Sequence, residues 1–210
     1  IMQYHPGIMW FDVPQIFGGD RGKDLLADTR SLQPDIIVNN RSGGGGDYGT
    51  PEQHIGGFNM KEPWETCMTI CNQWAWKPDD PMKSLDACLR ALVFSAGGDG
   101  NLLFNVGPMP TGEIEPRQVE RLREMGRWLD KNGESIYGTR GGPYRPTKNL
   151  ASTRKGNVVY LHVFNVPGDA LTLPPLPKKV LAASVLGGGT AEFQQTADGL
   201  TVKLPAQVRQ

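Results

Sequence analysis

The chain has 210 residues, which is enough for one complete domain or for a domain and a half. Lys and Arg together number 22, as do Asp and Glu, so the formal net charge is zero. This balance gives no electrostatic reason to expect nucleic acid or an anionic membrane as a partner. The sequence also has no run of about 18 apolar residues that would predict a membrane-spanning helix.

A strand, a helix and a second strand are predicted in residues 1–41. The apolar run at residues 7–12 ends in a carboxylate and predicts a buried strand, and residues 34–41 predict another. Residues 23–31 between them have helical spacing, so the two strands are expected to be parallel with a right-handed crossover. The Gly-rich, polar residues 42–60 then predict a long loop on the C-terminal side of the second strand.

The middle of the chain continues this alternation. A third strand is predicted at residues 64–70, a helix with one apolar face at residues 80–94, and a buried strand at residues 101–106. Pro116 fits the first turn of another helix, and Asn132-Gly133 predicts its end with a left-handed cap.

The three cysteines are Cys67, Cys71 and Cys88. An odd number without a regular framework argues against a disulfide scaffold, and a C-x3-C pair alone is a poor zinc site. We expect all three to be small buried apolar residues, and the sequence predicts neither a metal nor an organic cofactor.

After residue 143 the pattern changes to short strands separated by turn residues. They are predicted at residues 157–164, 170–173, 180–185, 191–195 and 200–204. The sequence therefore predicts an α/β fold in which a partial (β/α)8-like barrel, residues 1–142, precedes a small antiparallel β-sandwich, residues 143–210. A further pairing strand is expected to be missing from the end of the sandwich.

Polar residues follow the predicted barrel strands at their C-terminal ends, where barrel enzymes place their active sites. They are Asp12, Asn39, Asn40, Arg41 and Asn105. An acid directly after an apolar strand is costly unless it has a partner or a task. The pattern alone leaves two explanations for Asp12, a catalytic role or a structural pair with Arg41.

The ordered motifs of the chain resemble glycoside hydrolase family 29, the α-L-fucosidases. The motifs are Trp10-Phe11-Asp12, Asn39-Asn40-Arg41, Thr50-Pro51-Glu52, Trp64-Glu65, residues 101–108 and residues 132–138. The resemblance is strong over residues 1–140 and looser beyond. It implies a retaining exo-α-L-fucosidase that acts on a fucosylated oligosaccharide or glycoconjugate by a two-carboxylate mechanism.

By motif match, this resemblance implies that Asp12 is the nucleophile. It implies an acid/base in the variable loop that follows, where Glu52 is the first choice and Glu65 the second, ahead of Glu62 and Asp47. Substrate-binding roles are implied for Trp10 and Arg41 and are hypotheses for His54 and Trp64. Core packing remains an alternative for both tryptophans, and an interior ion pair remains one for Arg41.

The chain departs from the family pattern because the strands that precede the Trp-Phe-Asp motif in full family members are not in this sequence. Half a barrel would expose a sheet edge and part of its core. We therefore expect a homo-oligomer, or a missing half supplied by another chain. The alternatives are a catalytically impaired carbohydrate-binding or structural remnant, and a related retaining glycosidase for galactose-like sugars.

Overall fold

The computed structural model describes residues 1–13, 16, 19–165 and 168–205. Its first part alternates short strands with helices. The elements are β1 (Ile8–Met9), α1 (Asp20–Leu32), β2 (Ile37–Val38), a 3-10 turn (Asn40–Ser42), β3 (Glu65–Thr69), α2 (Leu85–Gly97), β4 (Asn101–Asn105) and α3 (Pro116–Asn132). β1 pairs in parallel with β2, and β3 pairs in parallel with β4, as the sequence pattern predicted.

The extended segment 48–52 links these two pairs of strands, and the prediction of a loop over residues 42–60 is wrong here. Parallel bridges join Asn39 to Tyr48, Gly49 to Trp64, and Glu52 to Cys67. The order β1, β2, segment 48–52, β3, β4 is therefore continuous and parallel. Glycine and polar composition concealed this segment, because its extended shape is stabilised by backbone bonds from β2 and β3 on either side.

The helices pack against the β3–β4 pair through one apolar cluster. Its buried members are Ile70, Cys71, Cys88 and Met125, with half-buried side chains from α2, α3 and β4 around them. All three cysteines are buried and free, which confirms the prediction made for them.

The ends of α2 and α3 correct two predictions. α2 begins at Leu85 rather than near residue 80, because Ser84 caps it by accepting a 3.1 Å hydrogen bond from the Ala87 amide. α3 has Pro116 in its first turn, as predicted, but Gly133 after it has a φ of −60° and is not left-handed. The chain continues there into a 3-10 turn, Gly133–Ser135.

The second part contains two three-stranded antiparallel sheets. One has the order β5 (Arg140–Gly141), β6 (Leu150–Lys155), β7 (Val158–Val163), and the other β8 (Ala170–Leu173), β10 (Leu200–Lys203), β9 (Phe193–Gln195). One buried cluster joins the two sheets. In it, Leu150 of the first sheet and Tyr144, which lies between β5 and β6, pack with Leu173 and Leu200 of the second sheet. The strands predicted near residues 157–164, 170–173, 191–195 and 200–204 are confirmed.

Three differences from the prediction remain in this part, and the first is β5, which pairs with β6 although no strand was predicted at residues 140–141. Residues 180–185 form only an isolated bridge, Ser184 to Thr190, instead of a strand. β6 was not predicted because its sequence is largely polar, yet Leu150 to Thr153 are buried between α2 and the neighbouring strands.

The last predicted residues of the sandwich, 206–210, lie outside the described residues. Within the described residues, no helix has both the length and the apolarity that crossing a membrane requires.

Candidate active site

Asp12 lies just beyond β1, with 64% of its side chain exposed. The next residue, Val13, has a positive φ of 55°, which is unusual for a β-branched residue. The Val13 amide donates to the Asp12 carboxylate and, together with the Arg41 guanidinium, holds the pKa of that carboxyl below its usual value of 3.8. Asp12 is therefore an exposed carboxylate that stays ionised at neutral pH.

Arg41 lies in the 3-10 turn after β2, and only 14% of its side chain is exposed. Its Nε donates to Thr50 Oγ1 at 2.8 Å, and its Nη2 donates to the Thr50 carbonyl at 3.1 Å. The Thr50 hydroxyl in turn donates to Asn40 Oδ1 at 2.8 Å. Segment 48–52 thus fixes the plane of the guanidinium and leaves Nη1 directed at the acidic residues.

Two carboxylates share the Nη1 atom of Arg41. Asp12 Oδ1 lies 3.1 Å from it and Glu52 Oε2 lies 2.7 Å from it. Because these distances are two sides of one triangle, the two oxygens are at most about 5.8 Å apart. Asp12 and Glu52 come from different elements, so this proximity depends on the pairing of β2 with segment 48–52.

Trp10 and Glu65 also belong to this cluster. Trp10 Nε1 donates a 3.0 Å hydrogen bond to Glu65 Oε1, and the Arg41 Cζ atom lies 4.7 Å from the centre of a Trp10 ring. A guanidinium over an indole face is a favourable cation–π contact. The structure therefore brings together five of the predicted site residues, and Glu65 is engaged by the indole while Glu52 contacts the guanidinium that binds Asp12.

The family model described as "Alpha-L-fucosidase" matches residues 1–134, which is more than half of the chain. The chain belongs to the α-L-fucosidase family. The predicted family assignment is therefore confirmed.

Individual α-L-fucosidases show how far this likeness extends. The α-L-fucosidase of Branchiostoma floridae is 28% identical over 226 residues, covering 96% of this chain and 50% of that protein. The structure of isoenzyme 1 from Paenibacillus thiaminolyticus is 29% identical, with a TM-score of 0.84 over 95% of this chain and 54% of that one. The structure of the Thermotoga maritima α-fucosidase is 28% identical, with a TM-score of 0.81 over 99% of this chain and 50% of that one. The chain thus spans about half the length of the relatives it matches.

His54 and Trp64 do not join the five-residue cluster directly. His54 is exposed, and its Nδ1 lies 2.8 Å from the Glu52 carbonyl oxygen, so it contacts the backbone of the Glu52 segment. Trp64 is 5% exposed and packs so closely against Gly56 and Gly100 that a Cβ on either would overlap its ring. Sugar contacts by these two residues stay predictions.

The remaining acidic candidates have other neighbours. Asp47 pairs with Arg30 at 2.7 Å and accepts a 2.8 Å hydrogen bond from the Val38 amide, so it ties its loop to β2. Glu62 lines an open cavity of about 440 Å³ beside Trp64, together with Phe58. In the part of the chain that the structure describes, no group of three or more His, Cys, Asp or Glu side chains is arranged to hold a metal ion.

Sequence reasoning gave no role to Thr50, although it fixes Arg41 through both its hydroxyl and its carbonyl. It also placed Asn39 and Asn105 at strand ends without assigning their contacts. Asn105 donates a 2.9 Å hydrogen bond to the carbonyl of Trp74 and so holds the loop that contains this tryptophan. Trp74 is 40% exposed. The signal available in the sequence was their position, since polar residues that end parallel strands meet at one edge of the sheet.

Proposed function

We propose that this chain carries the two catalytic carboxylates of a retaining exo-α-L-fucosidase that removes terminal α-L-fucosyl residues from oligosaccharides or glycoconjugates. The observation that carries this proposal is the shared contact of Asp12 and Glu52 with one nitrogen atom of Arg41. The choice of α-L-fucose as the sugar rests on membership of the α-L-fucosidase family. The catalytic roles of Asp12 and Glu52 rest on the motif match and on the contacts around Arg41.

The separation of the carboxylates favours retention of configuration. Retaining glycosidases hold their two carboxyl groups about 5–5.5 Å apart, whereas inverting enzymes need roughly 6.5–9.5 Å to admit a water molecule. The two oxygens that Asp12 and Glu52 direct at Arg41 are at most about 5.8 Å apart, which is near the separation in retaining enzymes. A double displacement through a covalent glycosyl-enzyme is therefore the mechanism that this geometry supports.

In the first step, Asp12 attacks the anomeric carbon while the bond from that carbon to the leaving oxygen breaks and Glu52 gives its proton to that oxygen. In the second step, Glu52 takes a proton from water, and the water oxygen attacks the anomeric carbon and displaces Asp12. The depressed pKa of Asp12 keeps the nucleophile ionised for the first step. The side chain of Glu52 is 41% exposed, so the water molecule that restores its proton in the second step can reach it.

The neighbouring side chains suit a neutral deoxy-sugar. The Trp10 ring lies against Arg41, which binds the nucleophile, and offers an aromatic surface suited to the apolar face and methyl group of fucose. Arg41 is held rigidly by Thr50, so its position is set before a sugar binds. Glu65 is the second choice for the acid/base, because the family motif favours Glu52 and because Glu65 accepts from Trp10 while Glu52 shares Arg41 with Asp12.

We further propose that the five parallel segments form one side of a (β/α)8-like barrel and that additional strands close it. Ile8 and Ile37 are register partners in the β1–β2 pair, and the chain runs on from β1 to Asp12. These two isoleucines are 54% and 47% exposed, although barrel interiors are filled by layers of such side chains. A second copy of the chain is one source of covering strands, which size-exclusion chromatography with light scattering can test.

Azide rescue tests the two carboxylate roles separately in the intact protein. In Asp12→Ala, azide should displace the aryl leaving group directly and yield the inverted β-L-fucosyl azide. In Glu52→Ala, azide should attack the glycosyl-enzyme at Asp12 and yield the retained α-L-fucosyl azide. Glu65→Ala provides the comparison for the second choice, and Asp28→Ala, an exposed carboxylate on α1, is the matched control.

Four results would count against part or all of the proposal. Full activity in Asp12→Ala would remove the nucleophile assignment, and α-L-fucosyl azide from Glu65→Ala but not Glu52→Ala would move the acid/base to Glu65. A folded wild-type protein without turnover on any aryl glycoside would favour the non-catalytic remnant. A preference for aryl galactosides over aryl α-L-fucosides in the same panel would change the substrate class.

A further inference from the structure

The backbone that carries Asp12 is held by an unusual contact. The β1–β2 ladder pairs Ile8 with Ile37 and Met9 with Val38, and its last backbone bond runs from the Asn39 amide to the Met9 carbonyl at 3.4 Å. Asp12 lies three residues beyond Met9. The nucleophile is therefore outside the part of β1 that strand pairing fixes.

The side chain of Asn39 takes over where the ladder ends. Its Nδ2 donates to the Phe11 carbonyl at 2.8 Å, and its Oδ1 accepts from the Phe11 amide at 3.0 Å. Phe11 directly precedes Asp12, so this pair of bonds reproduces what one more residue pair of a sheet would provide. Within the described part of the chain, the backbone of Phe11 makes its hydrogen bonds with Asn39 alone.

Asn39 is itself rigidly placed. It is 0% exposed, and it forms a parallel bridge with Tyr48 at the start of the segment that carries Glu52. Gly46 passes so close that a Cβ there would lie 2.2 Å from the Asn39 carbonyl oxygen. Asn39 thus lies between the segment that carries Asp12 and the segment that carries Glu52.

We infer that Asn39 is a positioning residue for the Asp12 nucleophile. Its side-chain amide fixes the backbone of Phe11 and thereby the position of the Asp12 carboxylate in the site. This inference rests on the proposed function of the chain. The role needs a donor and an acceptor in one side chain, because Phe11 presents one carbonyl and one amide. Asn39→Ala removes both groups, whereas Asn39→Asp keeps the size and the acceptor but, when ionised, loses the donor.

Covalent labelling of the intact protein by 2-fluoro-fucosyl fluoride tests this inference, because formation of the glycosyl-enzyme depends on the position of Asp12. We expect the labelling rate constant of Asn39→Ala and the kcat for an aryl α-L-fucoside to fall about 100-fold, the cost of roughly 1 Å of misplacement. The KM should change by less than about 3-fold, since a positioning residue acts on the chemical step rather than on sugar binding. Asn39→Asp should show the same split.

Asn132→Leu is the matched control, because its amide also donates to a backbone carbonyl, that of Trp128 at 2.9 Å, but at the end of α3. It should lower the melting temperature and leave the labelling rate unchanged. If a variant at position 39 does not fold, hydrogen exchange of the Phe11 amide in the wild-type protein decides. Slow exchange supports the contact, and exchange as fast as in an exposed loop overturns it.

The outcomes separate this inference from the proposed function. Wild-type protein that is neither labelled nor active would refute the proposed function. The hydrogen-exchange rate of the Phe11 amide would still test the contact with Asn39. Labelled wild-type protein together with equally fast labelling of Asn39→Ala or Asn39→Asp would overturn the positioning role alone. A rise in KM without a loss of kcat would also overturn it.

Discussion

Acidification below about pH 6.5 should destabilise this protein through His162. His162 lies in β7 and is 9% exposed, and its Nε2 lies 3.2 Å from Thr153 Oγ1, whose hydroxyl donates to the Ser135 carbonyl. Burial lowers the pKa of His162 from 6.5 to about 4. Protonation there would place a charge where strands of the first antiparallel sheet contact the turn after α3.

The direction and size of the effect follow from the two pKa values. The unfolded chain binds a proton at position 162 below pH 6.5 and the folded chain does not until about pH 4, so stability falls with pH between these values. Relative to pH 7.5, the loss should be about 1 kcal/mol at pH 5.5 and about 2–3 kcal/mol at pH 4.5. For a chain of this size, the larger loss corresponds to a decrease in Tm of roughly 4–12 °C.

Urea unfolding at a series of pH values measures this effect. His162→Gln should remove most of the loss of stability between pH 7.5 and pH 4.5, whatever its own stability at pH 7.5. His5→Gln replaces an exposed histidine and should keep the wild-type slope. If His162→Gln and the wild-type protein lose stability equally over this range, the assignment of the buried neutral histidine is refuted.

Three further predictions concern single contacts. Arg41→Lys keeps the charge but loses the two bonds to Thr50, so kcat/KM for an aryl α-L-fucoside should fall about 10- to 100-fold. Asp99→Asn replaces a buried carboxylate that Arg140 holds through two bonds. It should lower the free energy of urea unfolding by about 2 kcal/mol at pH 7, a difference that disappears as pH falls below 3.8 because Arg140 lowers the pKa of Asp99. Gly126→Ala adds a methyl group in open space on α3 and should raise the free energy of unfolding by about 0.5–1 kcal/mol. A melting temperature below that of the wild-type protein would contradict this prediction.

The sequence alone determined the local elements and the edge at which the candidate site lies. Apolar periodicity and Pro116 specified α3, and the run at residues 101–106 specified β4, because these signals come from neighbouring residues. The polar residues at strand ends pointed to one edge of the sheet, since the C-terminal ends of parallel strands meet there. That reasoning led to Asp12 and Arg41, whereas Glu52 was added by the family resemblance alone, and the catalytic roles stay predictions.

Only the tertiary structure decided how these residues meet. Segment 48–52 has the composition of a loop, and it is extended because β2 and β3 supply backbone partners from distant parts of the chain. β6 is polar in sequence and buried because α2 and its neighbouring strands cover it. The shared nitrogen of Arg41 and the amide contact of Asn39 with Phe11 each join residues 11 to 29 positions apart. Local patterns carry no information on such contacts, because their energies arise only when separate segments pair.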